Sequence, residues 1–203
     1  IETEEFIKKY SLDPKKKIIA LLPGSRRQEV EKMLSIMLSV GPAFPEYQFV
    51  IAGAPSLDDI FYKPFLKNAR VHYVTNETYA LLRCAVAALV TSGTATLETA
   101  LFKIPQVVCY KGSWVSYQIA KRIITLKYIS LVNLIMDKEV VKELIQSDLN
   151  TLTLTKELKD ILSGPKRDSI LKDYDLLEEK LGGPGASENA AKKIVASLKD
   201  TAQ

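Results

Sequence analysis

An α/β fold, with a parallel sheet covered by helices on both faces, is what this 203-residue sequence predicts. Three observations predict it. Short, continuously apolar, β-rich runs recur through the first two thirds of the chain. Turn residues stop most of them. Longer helical patterns separate them. Continuous apolar runs belong to strands buried on both faces, and alternation with helices gives βαβ units. At 47% hydrophobic and 26% charged, the composition suits a packed core, and with no biased repeat it excludes collagen, coiled coil and wholesale disorder. The length suffices for one large or two small domains needing no staples.

Residues 1–16 read as a lead-in or linker helix. The first strand is Lys17 to Pro23 (KIIALLP), followed by Gly24-Ser25-Arg26 and a helix from Arg27 to Val40. A second strand, Tyr47 to Ala52, is stopped by Gly53 and Pro55, and a helix covers Leu57 to Lys67. A third strand runs from Arg70 to Val74, where Thr75 and Asn76 are candidates to cap a short helix at Glu77 to Arg83. The fourth strand, Ala85 to Val90, turns at Thr91-Ser92-Gly93 into a helix from Thr94 to Phe102, and Pro105 to Tyr110 is the fifth. Beyond Val141 the pattern turns helical: Lys142 to Gln146, Thr155 to Leu162, Pro165 to Leu181 and Ser187 to Leu198.

Ligands of such sheets bind beyond the carboxyl ends of the strands. Pro23-Gly24-Ser25-Arg26-Arg27 sits at one such end. Glycine lets the backbone approach a ligand, a helix start offers free N–H groups, and Arg26 is a bidentate phosphate donor. The plain alternative is a helix start with solvated arginines. Residues Thr91 to Glu98 repeat the design. Ser92, Thr94 and the backbone N–H groups from Gly93 to Ala95 can cradle a phosphate. Glu98, one turn further along, can accept two sugar hydroxyls or simply complement the helix dipole. Two anion loops after two strands of one sheet suit a nucleoside diphosphate. Neither is a Walker A loop, and no G-x-G-x-x-G occurs.

Net charge is +4, from 28 basic and 24 acidic residues. Thr99 to Met136 holds Lys103, Lys111, Lys121, Arg122 and Lys127 and no acid. Those five leave 23 basic against 24 acidic residues elsewhere, so the stretch holds the whole excess. It also contains Trp114, Tyr117 and several isoleucines. A basic, aromatic helix suits an anionic membrane surface; the same pattern also fits core residues solubilised by lysines. Nucleic acid is not expected, for want of a binding motif. Asn133 is an isolated amide in apolar surroundings that either contacts a ligand or makes a turn bond.

Cys84 and Cys109 form no disulfide framework and read as buried, inert thiols of a reducing compartment. The single His72 removes the usual metal-site chemistry and reads as a strand residue. No apolar stretch has the roughly 18 residues of a spanning helix. The start lacks both a signal peptide and an initiator Met, which suggests a piece of a longer chain.

Together LLPGSR (Leu21–Arg26), SGTATLE (Ser92–Glu98), PQVVCY (Pro105–Tyr110), IAKR (Ile119–Arg122), YISLVNL (Tyr128–Leu134) and EVVKELIQ (Glu139–Gln146) resemble lipid-A-disaccharide synthase, over its C-terminal half. The resemblance implies a bacterial, inverting glycosyltransferase of the GT-B type, which joins UDP-2,3-diacylglucosamine to 2,3-diacylglucosamine 1-phosphate (lipid X). Residues 17–150 would then be its Rossmann-like nucleotide-sugar domain, and 151–203 helices packing on this or a partner domain. Ser25 and Arg26 would face the diphosphate, with Arg26 stabilising the leaving group. Gly93 and Thr94 would donate to it and Glu98 would hold the ribose. Val74 and Thr75 would face uracil through backbone, and Asn133 matches the family's Ser-Leu-Pro-Asn asparagine, with Val132 in place of proline. The catalytic base would lie in the N-terminal half, a partner of this chain. Neither cofactor nor metal is implied. The setting implied is the cytoplasmic face of the inner membrane, contacted by Trp114, Tyr117, Lys121 and Arg122. A homodimer stays open, since helices beyond Gly185 can exchange between copies. Three other readings compete: another UDP-sugar enzyme of GT-B shape, such as a UDP-N-acetylglucosamine 2-epimerase or a soluble glycosyltransferase; a non-catalytic nucleotide-binding module; and a plain α/β scaffold with no ligand.

Overall fold

In the computed structural model, which describes residues 3–67, 70–112, 127–182 and 191, six strands form one parallel sheet. Helix α1 (Thr3–Lys9) precedes β1 (Lys17–Leu22). The chain then runs through α2 (Arg27–Leu38), β2 (Tyr47–Gly53), α3 (Asp59–Tyr62), β3 (Val71–Thr75), α4 (Thr78–Cys84), β4 (Ala85–Thr91), α5 (Thr94–Leu101) and β5 (Gln106–Tyr110). Helix α6 (Leu131–Met136), β6 (Lys142–Ile145), α7 (Thr151–Leu162) and α8 (Pro165–Leu181) follow. The strand order is β3-β2-β1-β4-β5-β6, so the chain reverses direction across the sheet between β1 and β4. That point is where doubly wound sheets open a crevice at their carboxyl edge.

The two-residue period of the strands explains how one sheet feeds two cores. Ile19 and Leu21 of β1, Phe49 and Ile51 of β2, and Ala87 and Leu89 of β4 face Met33, Leu34 and Met37 of α2 and Leu154, Leu158 and Ile161 of α7. The intervening Ile18, Ala20 and Leu22, Val50 and Ala52, and Ala88 and Val90 face Leu81 and Leu82 of α4 and Phe6 of α1. Each buried Val, Leu, Ile, Met or Phe side chain among these contributes about 1.5–3 kcal/mol by leaving water. Phe6 is fully buried and so fastens α1 to the sheet. Helix α8 adds Ile170, Tyr174 and Leu177 to the first core.

The first five strands fall within one residue of the sequence expectation. Four expectations are corrected. Lys142–Ile145 is not helical: its residues favour a helix, but they pair with β5 from Val107↔Lys142 to Tyr110↔Ile145. An edge strand tolerates such charged side chains because one side of it stays open. The helix expected over Leu57–Lys67 shrinks to the single turn of α3 and a 3-10 turn over Lys63–Phe65. Pro64 removes an N–H there and disfavours helix at the residue before it. Thr75 and Asn76 do not cap α4; Asn76 takes a left-handed turn (φ 57°), and Glu77 is the N-cap residue, with no side-chain bond. Helix α7 begins earlier than expected, at Thr151, where Asn150 accepts from the Thr153 amide in a capping box. The helix expected over Ser187–Leu198 lies outside the described residues.

Candidate functional site

A cleft of about 770 Å³ opens at the carboxyl ends of β1, β2, β3 and β4. The loop after β1 brings Gly24, Ser25 and Glu29 to it, and the loop after β2 brings Gly53, Ala54 and Pro55. The turn after β3 brings Asn76 to Ala80, and the loop after β4 brings Thr91 to Ala95 and Glu98.

Local chemistry shapes each wall. Gly24 has φ +100°, a conformation side chains rarely adopt, and a Cβ there would meet the Glu29 carboxylate at 2.6 Å. Glycine thus permits both the turn and the close packing of Glu29 over it. On the next strand, a Cβ at Gly53 would meet the Tyr73 ring at 2.1 Å. Tyr73 stacks on Tyr62, with ring centroids 4.5 Å apart, and the Tyr62 hydroxyl accepts a hydrogen bond from the Ala54 amide at 2.9 Å. Burial raises the Tyr62 hydroxyl above the usual tyrosine range, so it stays protonated and this wall stays neutral.

The polar character of the cleft is uneven. Its described lining contains three carboxylates (Glu29, Glu77 and Glu98) and no lysine or arginine. Glu77 pairs with Lys9 of α1, and that hydrogen bond holds the Lys9 amine above its usual range. Positive potential comes instead from backbone. Helices α2 and α5 both start at the cleft, after Arg26 and Gly93, and neither start has a side-chain cap. Their first N–H groups and aligned dipoles are therefore available to an anion. The hydroxyl of Ser92 is engaged: it donates to the Ile129 carbonyl at 2.8 Å. Such a cleft offers free N–H groups to phosphates and carboxylate acceptors to sugar hydroxyls. Among the described residues, no three His, Cys, Asp or Glu side chains gather as a metal-binding group.

Of the residues singled out in the sequence, Ser25, Ser92, Gly93, Thr94, Ala95 and Glu98 come together along the cleft. Arg26 stands at the N-cap of α2 with an exposed side chain, beside the lining rather than in it. Val74 is buried in the second core, and the lining on that side comes from Asn76 onward. Thr75, at the end of β3, is also outside the lining. Asn133 is fully buried and does not line the cleft. Its Nδ2 donates to the Val141 carbonyl and to Glu143, and its Oδ1 accepts from the Val140 and Val141 amides at 2.8 and 3.0 Å. Of the two uses the sequence left open for this amide, the structure displays the turn bond. Trp114, Tyr117, Lys121 and Arg122 lie outside the described residues. Cys109 is buried and its thiol is held far above the usual range by that burial, whereas Cys84 is only half-buried. Glu29, Glu77 and Tyr79 line the cleft without having been singled out; the only signal for them was their place just past an apolar strand.

The same architecture occurs in solved structures. WaaG, a glycosyltransferase involved in lipopolysaccharide biosynthesis, matches over 95% of this chain and 50% of its own, with a TM-score of 0.60 at 14% identity. The MnaA structure with UDP from S. aureus matches over 96% of this chain and 48% of its own, with a TM-score of 0.61 at 15% identity. The fold is thus Rossmann-like, of the kind these solved chains carry over about half their length, with the cleft at its switch point. The sequence makes the assignment closer. A family model described as "Lipid-A-disaccharide synthetase" matches residues 2–196, and the chain belongs to that family. The lipid-A-disaccharide synthase of Syntrophus aciditrophicus (strain SB) is 37% identical over 204 residues, and that of Geobacter sulfurreducens is 32% identical over 202. These alignments cover 97% and 96% of this chain but 53% of each relative, so the chain spans about half the length of the curated relatives it matches.

Proposed function

We propose that this chain is the donor-binding half of an inverting glycosyltransferase that joins UDP-2,3-diacylglucosamine to lipid X, releasing UDP. The observation that carries the reading is the cleft, in a chain of this family. Two helix starts without side-chain caps and the carboxylate of Glu98 converge there, at the switch point of the sheet. The helix starts suit a diphosphate, Glu98 the ribose hydroxyls, and the turn beyond β3 the uracil.

In the reaction the 6-hydroxyl of the acceptor attacks the anomeric carbon of the donor. The bond from that carbon to the diphosphate breaks, and the hydroxyl proton passes to a base carried by the N-terminal half of the enzyme. Negative charge grows on the leaving diphosphate. The α2 and α5 N–H groups take it up, and Arg26 swings in from the rim beside them. Both substrates are acylated, which gives the basic, aromatic stretch around Trp114, Tyr117, Lys121 and Arg122 its purpose: contact with an anionic membrane. Among the described residues no helix is long and apolar enough to cross one.

Calorimetry with UDP, ADP and GDP tests the nucleotide reading. UDP should bind and the purine nucleotides should bind at least about tenfold more weakly; equal binding of all three, or none, overturns it. Glu98→Ala should cost about tenfold or more in UDP affinity, the usual worth of hydrogen bonds to a charged acceptor. The chain alone should make no disaccharide, and product formed by it would refute the placement of the base. Sedimentation with anionic liposomes tests the membrane contact, which Lys121→Glu with Arg122→Glu should abolish.

A further inference from the structure

We infer that Glu143, on the edge strand β6 and outside the cleft lining, is a positioning residue for the anion loop after β4. This inference rests on the nucleotide reading above. Its Oε1 accepts hydrogen bonds from the Ser130 amide (2.9 Å), the Ser130 hydroxyl (2.7 Å) and the Asn133 side-chain amide (2.9 Å). Its Oε2 accepts from the Ile129 amide at 2.9 Å. Glu143 therefore holds the peptide units of Ile129 and Ser130 from one side. On the other side, the Ile129 carbonyl accepts from the Ser92 hydroxyl at 2.8 Å. Ser92 adjoins Gly93, the N-cap residue of α5, whose free N–H groups face the cleft.

The chain of contacts is short: hydrogen bonds join Glu143 to Ile129 and Ile129 to Ser92, and a peptide bond carries the chain from Ser92 to Gly93. It also explains why acid is required at position 143. All four groups that approach the carboxylate are donors, so both oxygens must be acceptors. Glutamine presents an NH₂ on one arm and would set donor against donor. Asn133 supports the same anchor from behind, since its two backbone acceptances fix Val140 and Val141 just ahead of β6. Loosening Glu143, itself outside the cleft lining, releases Ile129, then the hydroxyl of Ser92, then the aim of the α5 amides.

Hydrogen exchange and calorimetry on the full 203-residue chain test this. In Glu143→Gln, the hydrogen-bonded amides of residues 92 and 96, which bracket the free ones, should exchange about three- to tenfold faster while those of β1 and α7 keep wild-type protection, and UDP affinity should fall by a similar factor, the range expected for a mutation along a coupled network. Ser92→Ala should give the same pattern. In the Ser92→Ala background, Glu143→Gln should add nothing further at amides 92 and 96 or to UDP affinity. Unchanged exchange at 92 and 96 in Glu143→Gln, or additive effects in the double variant, would overturn the inference. So would a uniform loss of protection that includes β1 and α7, since it would make Glu143 a general stabiliser. The exchange readout needs no nucleotide, so wild-type chain that fails to bind UDP refutes the nucleotide reading and leaves the positioning result standing on its own.

Discussion

Helix starts at the cleft and those of the three helices that follow β5 are finished in opposite ways. Helices α2 and α5 begin at the cleft with Arg26 and Gly93 as N-cap residues, and neither has a side-chain cap. Helix α6 begins with Ser130, whose hydroxyl accepts from the Asn133 amide, and α7 begins with Asn150 in a reciprocal capping box with Thr153. Helix α8 reaches a similar end by placing Pro165 in its first turn, which removes a donor. A missing cap costs about 0.5–2 kcal/mol. The chain bears that cost at α2 and α5, and again at α4, whose N-cap Glu77 lines the cleft without a side-chain bond. At α6, α7 and α8 the donors are covered or removed, and the single-turn α3 is the exception away from the lining. Polar groups follow the same division: Asn133 and Glu143 use theirs on the protein's own backbone, whereas among the described residues no such bond engages the carboxylates of Glu29 and Glu98 at the cleft.

The largest expected effect comes from breaking the closed side of this comparison. Asn133→Ala removes the acceptor of two buried amides, Val140 and Val141, and at about 1–3 kcal/mol for each orphaned group it should destabilise the chain by about 3 kcal/mol or more. Urea denaturation measures it. A loss under about 1 kcal/mol would mean that water replaces the amide and that Asn133 is dispensable to the fold.

The open side can be closed deliberately. Arg26 has φ −93° and ψ 132°, which is N-cap geometry, so Arg26→Asp can cap α2 without moving the backbone. The variant should gain about 1 kcal/mol in urea denaturation. It should also lose at least about tenfold in UDP affinity, because a fixed carboxylate then competes for the helix start that the diphosphate needs. Higher stability with unchanged UDP binding would separate the α2 start from the site.

The open side was the more legible in the sequence. An apolar run stopped by Gly24-Ser25 or Ser92-Gly93 announces a strand, a tight turn and a helix start from adjacent residues alone. That is why β1, β4 and their loops were readable and why Ser25, Gly93 and Glu98 meet in one cleft. The closed side depends on partners distant in the chain. The residues of β6 are good helix formers, and only pairing with Val107–Tyr110 makes them a strand. Asn133 reads as a ligand contact or a turn residue until Val140, Val141 and Glu143 are seen around it. Val74 and Thr75 end β3 just before the lining begins at Asn76, and nothing local in the sequence marks where the strand gives way to the left-handed turn.

The smallest expected effect concerns β3, at the edge of the sheet opposite β6, where His72 pairs with Val50. Burial lowers its pKa below the usual 6.5, because the partly buried imidazole holds a proton less readily than it does in the unfolded chain. Below about pH 6.5 the unfolded chain therefore binds a proton that the folded chain refuses, and folding stability falls as pH drops from there until the folded pKa is reached. Above pH 7 both states are neutral at this residue and it contributes no slope. Thermal unfolding of wild-type and His72→Gln chains between pH 7.5 and 5.5 isolates this contribution from that of the carboxylates. The wild type should lose more of its midpoint over that range, and the two curves should run parallel above pH 7. Equal slopes throughout would mean that β3 opens enough at the sheet edge for water to reach His72.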